Sequence, residues 1–178
     1  MKRIFLIVSL CALVLVPSAQ VRAQTELQEG LIIERCDIIK QSLDKQRRRD
    51  LVSRINRGRD YQNLIDQQQA LTDRVRNNGL DYVKFEQRLS ELKVAFDNFR
   101  KSYTAYDDGL STLTAIDCKK EPANFFGQLL AVRALRSDVG QKSLLIKDIL
   151  SLQRDLIVNL RLELQQVEES IVGSRDGN

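Results

Sequence analysis

Ten residues, Tyr82, Phe85, Leu89, Leu92, Phe96, Phe99, Tyr103, Tyr106, Leu110 and Leu113, recur at steps that alternate three and four without a break. On an α-helix that rhythm keeps every member on one face, the pattern of a heptad seam buried against partner helices. The seam holds six of the nine aromatic residues that follow position 23. Phe and Tyr of this bulk suit the wider core of a three- or four-helix arrangement better than a tight two-stranded coil. The same stripe also serves a homodimer, so self-association through it stands beside intrachain packing.

The cysteines say how the seam is covered. Cys36 and Cys118 are the two that follow the N-terminal apolar run, and an even count in an exported chain reads as one disulfide. Asn77-Asn78-Gly79 is the strongest turn signal in the middle of the chain. Cys36 lies 41 residues before Asn77 and Cys118 lies 39 after Gly79. Two antiparallel helices of those lengths, about 60 Å and 58 Å, return both cysteines to the same level. A Cys36–Cys118 bridge is therefore expected.

Helices are predicted over 25–76, 80–116 and 122–172. On the first, Ile32, Cys36, Ile39 and Leu43 share a face that Leu51, Ile55, Leu64, Ile65, Leu71 and Val75 resume. Between them, Asp44 to Asp50 is a run of seven polar residues, at which the helix either breaks or turns to solvent. The glutamine-rich stretch from Gln62 to Ala70 reads as a neutral exposed face, with a polar helix interface as the other reading. Pro122 suits the first turn of the third helix. There, Phe125, Leu129, Val132, Val139, Ile146, Ile149, Leu156, Leu160, Leu164, Val167 and Ile171 follow helical steps. From Leu144 to Leu164 that helix is apolar on more than one face and is expected to touch two neighbours. No segment sustains period-two alternation. The expected fold is all-α: an elongated antiparallel three-helix bundle or coiled-coil hairpin with one disulfide.

Lys2 and Arg3 precede an apolar run from Ile4 to Val16, and Val21-Arg22-Ala23 follows. This is the three-part pattern of a secretory signal. Thirteen helical residues span only about 20 Å, short of a bilayer core of about 30 Å. Residues 1–23 are thus expected to be cleaved, leaving 24–178 as a single helical domain in a secreted or extracytoplasmic setting. An uncleaved anchor is the alternative, and it is the one route to a membrane. Removing 1–23 takes three basic residues from the total of 28 against 24 acids, so the net charge falls from +4 to +1. The basic character belongs mostly to the export segment, and nucleic acid is not expected as a partner.

Chemistry is sparse. The chain has no histidine, which removes the usual general base and the commonest transition-metal ligand. Two cysteines without histidine make a poor metal set. Asp107-Asp108 and Glu168-Glu169 are adjacent pairs whose members point about 100° apart on a helix, which does not make a carboxylate dyad. No catalytic residue, metal or cofactor is expected. The densest charge is Lys45, Arg47, Arg48, Arg49, Arg54, Arg57 and Arg59, a candidate surface for an anionic partner or a solvated face balanced by Asp44, Asp50 and Asp60.

Arg54-Ile55-Asn56-Arg57-Gly58-Arg59 with Tyr61, Asp117-Cys118-Lys119-Lys120-Glu121-Pro122 with Phe125, and Ala134-Leu135-Arg136 carry a resemblance. They resemble segments of uncharacterised exported helical proteins of small-genome candidate-phylum bacteria. That resemblance implies fold and export only. In overall plan the chain is also similar to periplasmic holdase chaperones of the OmpH type, but it lacks their strands and their basic mature charge. The expected function is non-enzymatic contact with a protein partner at the cell envelope, as spacer, adaptor or assembly component. The alternative is a holdase for unfolded clients.

Overall fold

The computed structural model describes residues 18 to 175, with side chains from 26 to 169. Most of the expected signal segment therefore lies outside the described residues. Three helices make up the fold: α1 (Ser18–Asn77), α2 (Val83–Ala115) and α3 (Pro122–Arg175). No strand occurs among the described residues.

α1 stops where the sequence changes chemistry. Gly79 takes φ +69°, a conformation an L side chain resists. The Leu80 amide then reaches the Val75 carbonyl at 3.1 Å and the Gly79 amide reaches Arg76 at 3.0 Å, closing a Schellman cap. Asp81 Oδ1 accepts the Val83 amide at 3.1 Å and starts α2. α2 ends as Ile116 turns extended, and Asp117 Oδ1 accepts the amides of Lys119 and Lys120. Pro122 then opens α3.

The register follows from the contacts. Gln69 meets Lys93, Arg47 meets Asp107 and Cys36 meets Cys118, so α1 and α2 run antiparallel. Asp50 meets Arg136, Arg57 meets Ser143 and Gln68 meets Gln153, at a near-constant separation of 85 or 86 residues. α1 and α3 therefore run parallel, flanking α2. The Cys36–Cys118 disulfide joins α1 to the α2–α3 connection with Cα atoms 5.7 Å apart.

Nine of the ten stripe residues, Phe85 to Leu113, are buried within the chain, joined by Ala95. The seam is thus occupied by α1 and α3. Tyr82 is the exception: it is the N-cap of α2, half-buried, with the Arg76 guanidinium 4.5 Å from its ring centroid. The core has two ends. One gathers Ile32, Leu43, Leu113 and Phe125 around the disulfide, and the other gathers Ile65, Leu92, Phe96 and Ile146. Burying such a side chain stabilises by about 1.5–3 kcal/mol each.

Three expectations need correction. α1 does not break at Asp44–Asp50; it is continuous, and the run is part of the helix interface rather than wholly solvated. Leu51 and Ile55 do not resume its inward face, since both are exposed and Tyr61 packs edge-on against Phe96 and Phe99 instead. The glutamine stretch is not simply an exposed face, because Gln68 accepts a 2.6 Å bond from Gln153, itself 2% exposed.

Candidate functional site

The polar run of α1 places side chains at the seam because the heptad phase continues through it. Gln46 Nε2 donates to the Tyr106 hydroxyl at 3.1 Å, and that hydroxyl donates to Asp50 Oδ2 at 2.7 Å. Arg136 of α3 donates to the same carboxylate at 3.1 and 3.4 Å. Asp50 thereby ties all three helices. Burial, and then the bond to Asp50, holds the Tyr106 phenol above its ordinary range. Arg47 pairs with Asp107 at 3.3 Å one step nearer the disulfide.

On the other side of Asp50 the helices part. A cleft of about 350 Å³ opens between them, walled by Asp50, Arg54, Arg57 and Arg136 over Phe99, Tyr103, Tyr106 and Val139. Gly140 on its α3 edge would meet nothing within 4 Å with a Cβ added, so the mouth is open there. A second depression of about 200 Å³ shares Arg54, Phe99 and Tyr103 and adds Gly58, Arg59 and Arg100. The Arg54 guanidinium lies 4.9 Å from the Tyr103 ring centroid and Arg100 lies 6.0 Å from that of Phe96. Arg57 donates to Ser143 Oγ at 3.2 Å, and that oxygen is 2.9 Å from the Tyr61 hydroxyl. Burial first, then the Asp50 and Asp107 carboxylates, push the Tyr103 phenol up to about 12 against the opposing pull of Arg54. Such a phenol is no general base near neutral pH.

A different flank is apolar. A groove of about 480 Å³ runs between α2 and α3 with no α1 residue in its lining. Val94, Leu145 and Leu152 wall it at 59%, 46% and 46% exposure, and the buried Ala95 and Ile149 line its depth. The Arg88–Glu91 pair, at 2.5 Å, sits on its rim with Asp148. Farther along α3, residues 161 to 169 are all exposed, Leu162 and Leu164 included. The constant offset to α1 explains this: beyond about residue 162, α3 has passed the end of α1. Of the two faces expected between Leu144 and Leu164, only one is met, and over Leu144 to Leu152 this is so although α1 still runs beside α3. Ile146, Ile149 and Gln153 are buried, whereas Leu144, Leu145, Leu152, Val158 and Leu162 are left exposed by the described residues.

The basic run does not form one surface. Lys45, Arg48 and Arg49 are exposed and line none of these depressions; Arg47 is taken by Asp107; Arg54, Arg57 and Arg59 reach the cleft region. Arg100 and Arg136 complete it from α2 and α3 and were not apparent from the run, because they are distant in sequence. Among the described residues no group of three or more His, Cys, Asp or Glu is placed to hold a metal, and no helix is long and apolar enough to cross a membrane. The disulfide fits an oxidising, extracytoplasmic setting. Set against known protein families, curated proteins and solved structures, the chain matches none of them.

Proposed function

We propose that this chain is a non-enzymatic, extracytoplasmic spacer or adaptor that acts at the cell envelope by holding a protein partner along its flank. The observation that carries the reading is the α2–α3 groove, which no described residue covers. Leu145 and Leu152 stand seven residues apart on one ridge, Val94 faces them, and Ala95 keeps the groove deep. That is the seat a further helix takes when a bundle gains a member. A contiguous apolar face on an exported protein favours a protein partner over solvent. The partner chemistry that fits is an amphipathic helix with leucine-sized side chains at helical spacing. The disulfide supports the spacer role, since it holds α1 at Cys36 to the α2–α3 connection.

The same exposed leucines give some support to a holdase, which binds many unfolded clients on apolar surface. Site-specific photocrosslinking in producing cells separates the two. A crosslinker at Leu145 is expected to give one discrete adduct that Leu152→Asp abolishes, with none from Arg48. A smear of adducts, together with suppression of client aggregation by the purified protein, would replace the adaptor with the holdase.

A further inference from the structure

We infer that the cleft around Arg54 is a binding site for an acidic polypeptide segment that also carries apolar side chains. It lies on a flank lined by α1 and stands independently of the α2–α3 groove.

Charge is the first ground. Among the described residues, Arg54, Arg57, Arg59 and Arg100 have no carboxylate within ion-pair distance, although nine ion pairs form between other side chains, Arg136–Asp50 in the cleft wall among them. The single carboxylate lining the cleft, Asp50, is already engaged by Tyr106 and Arg136. Four guanidinium groups thus line two joined depressions without a direct carboxylate partner. The carboxylates nearest to Arg54 and Arg100 outside them, Asp97 and Asp108, lie in a neighbouring depression, Asp97 feeling Arg100 only at longer range.

Preorganisation is the second ground. Arg54 rests on the Tyr103 ring and Arg100 on the Phe96 ring, while Arg57 is held by Ser143. A guanidinium laid on an aromatic face keeps its N–H edge available and loses little further freedom when a carboxylate arrives. A planar fork of this kind matches a carboxylate with two parallel hydrogen bonds.

Shape decides between anions. The two depressions, about 350 and 200 Å³, meet at Arg54, so the site takes an extended ligand rather than a lone ion. Val139 lines the first, and Ile55, 60% exposed, lines the second, offering contacts that a uniformly charged polymer leaves unused. The Asp50 carboxylate opposes dense negative charge in the larger depression. Gly58 and Gly140 leave room for a main chain to lie close. Carboxylates interspersed with apolar side chains satisfy all of these, and a phosphate polymer or lipid surface does not.

The test is fluorescence anisotropy of a labelled peptide of alternating glutamate and leucine against the oxidised protein. Polyphosphate and phosphatidylglycerol vesicles serve as competing arms. Arg54→Glu with Arg57→Glu is compared with Arg48→Glu and Arg49→Glu, which changes the net charge identically away from the cleft. The cleft pair is expected to weaken binding by at least about tenfold and the control pair by less than about threefold. Gly140→Tyr, which fills the mouth and leaves every charge in place, is expected to weaken it as well, with circular dichroism verifying the fold of each variant. Equal losses in the two pairs would overturn the inference. So would undetectable peptide binding, or tighter cleft-dependent binding of polyphosphate or vesicles than of the peptide.

Discussion

Replacing Cys36 and Cys118 by alanine removes the disulfide cross-link between α1 and the α2–α3 connection. The two are 82 residues apart in sequence. Closing a loop of that size in the unfolded chain corresponds to about 4.5 kcal/mol in the chain-entropy model. The folded-state part of the change is small by comparison. Both sulfurs are buried among Ile32, Leu113 and Phe125, so alanine leaves a void of about one atom at each site. The adjacent Lys119–Asp37 pair, at 2.7 Å, is exposed on both sides and contributes little. Most of the loss therefore enters through the unfolded state, which becomes less compact. Urea unfolding followed by circular dichroism is expected to show a stability lower by about 3–5 kcal/mol, with a steeper denaturant slope because more surface is exposed on unfolding. A loss below about 1 kcal/mol with an unchanged slope would refute the idea that this bridge constrains the chain.

Gly127→Ala should stabilise by up to about 1 kcal/mol in urea melts, since a Cβ there meets nothing within 4 Å and the helix gains propensity. Gly109→Ala should gain nothing or lose stability in the same assay, because its Cβ falls 2.9 Å from Leu135 Cδ1 and 3.4 Å from Val132 Cγ2. Tyr106→Phe strips one bond from Gln46 and one from Asp50, and should cost about 1–2 kcal/mol by thermal or urea unfolding, with Arg136 still holding Asp50. Tyr103 should ionise near its value of about 12 in an alkaline absorbance titration, well above the ordinary phenol range. Because that value is raised above the unfolded phenol, its contribution to stability is complete below pH about 10 and is lost as pH rises from about 10 to 12.

The α2 stripe was legible because its inward positions are filled by Phe, Tyr and Leu, for which pattern and burial coincide. Only Tyr82 departs, since the Schellman turn and the Asp81 cap delay the helix to Val83. The bridge was legible because a single glycine turn divides two segments of nearly equal length. α1 was harder to read by hydrophobicity alone. Its seam passes from Leu43 through Gln46, Asp50 and Arg54 to Tyr61, keeping the three-and-four rhythm while changing chemistry. Following the phase rather than the polarity would have placed Asp50 inward. The basic run misled for a related reason: successive residues on a helix fan out by about 100°, so neighbours in sequence face different environments. Arg47 turns to Asp107, Arg54 to Tyr103 and Arg48 to solvent. The cleft drew Arg100 and Arg136 from other helices, and no local motif links them to Arg54. On α3 the second apolar face was visible, but which face α1 would take was not: α1 runs beside α3 at Leu145 and Leu152 without lining that flank, and α3 outruns it only beyond about residue 162.

Light scattering coupled to small-angle X-ray scattering on oxidised residues 24 to 178 tests the central claim most directly, that the chain is a stapled three-helix rod whose α2–α3 face is left for another protein. The stagger of α1 against α3 sets a rod about 100 Å long, and a monomer of that length is the expected result. A dimer that Leu145→Glu dissociates would contradict it, because the face would then be filled by a second copy of the chain.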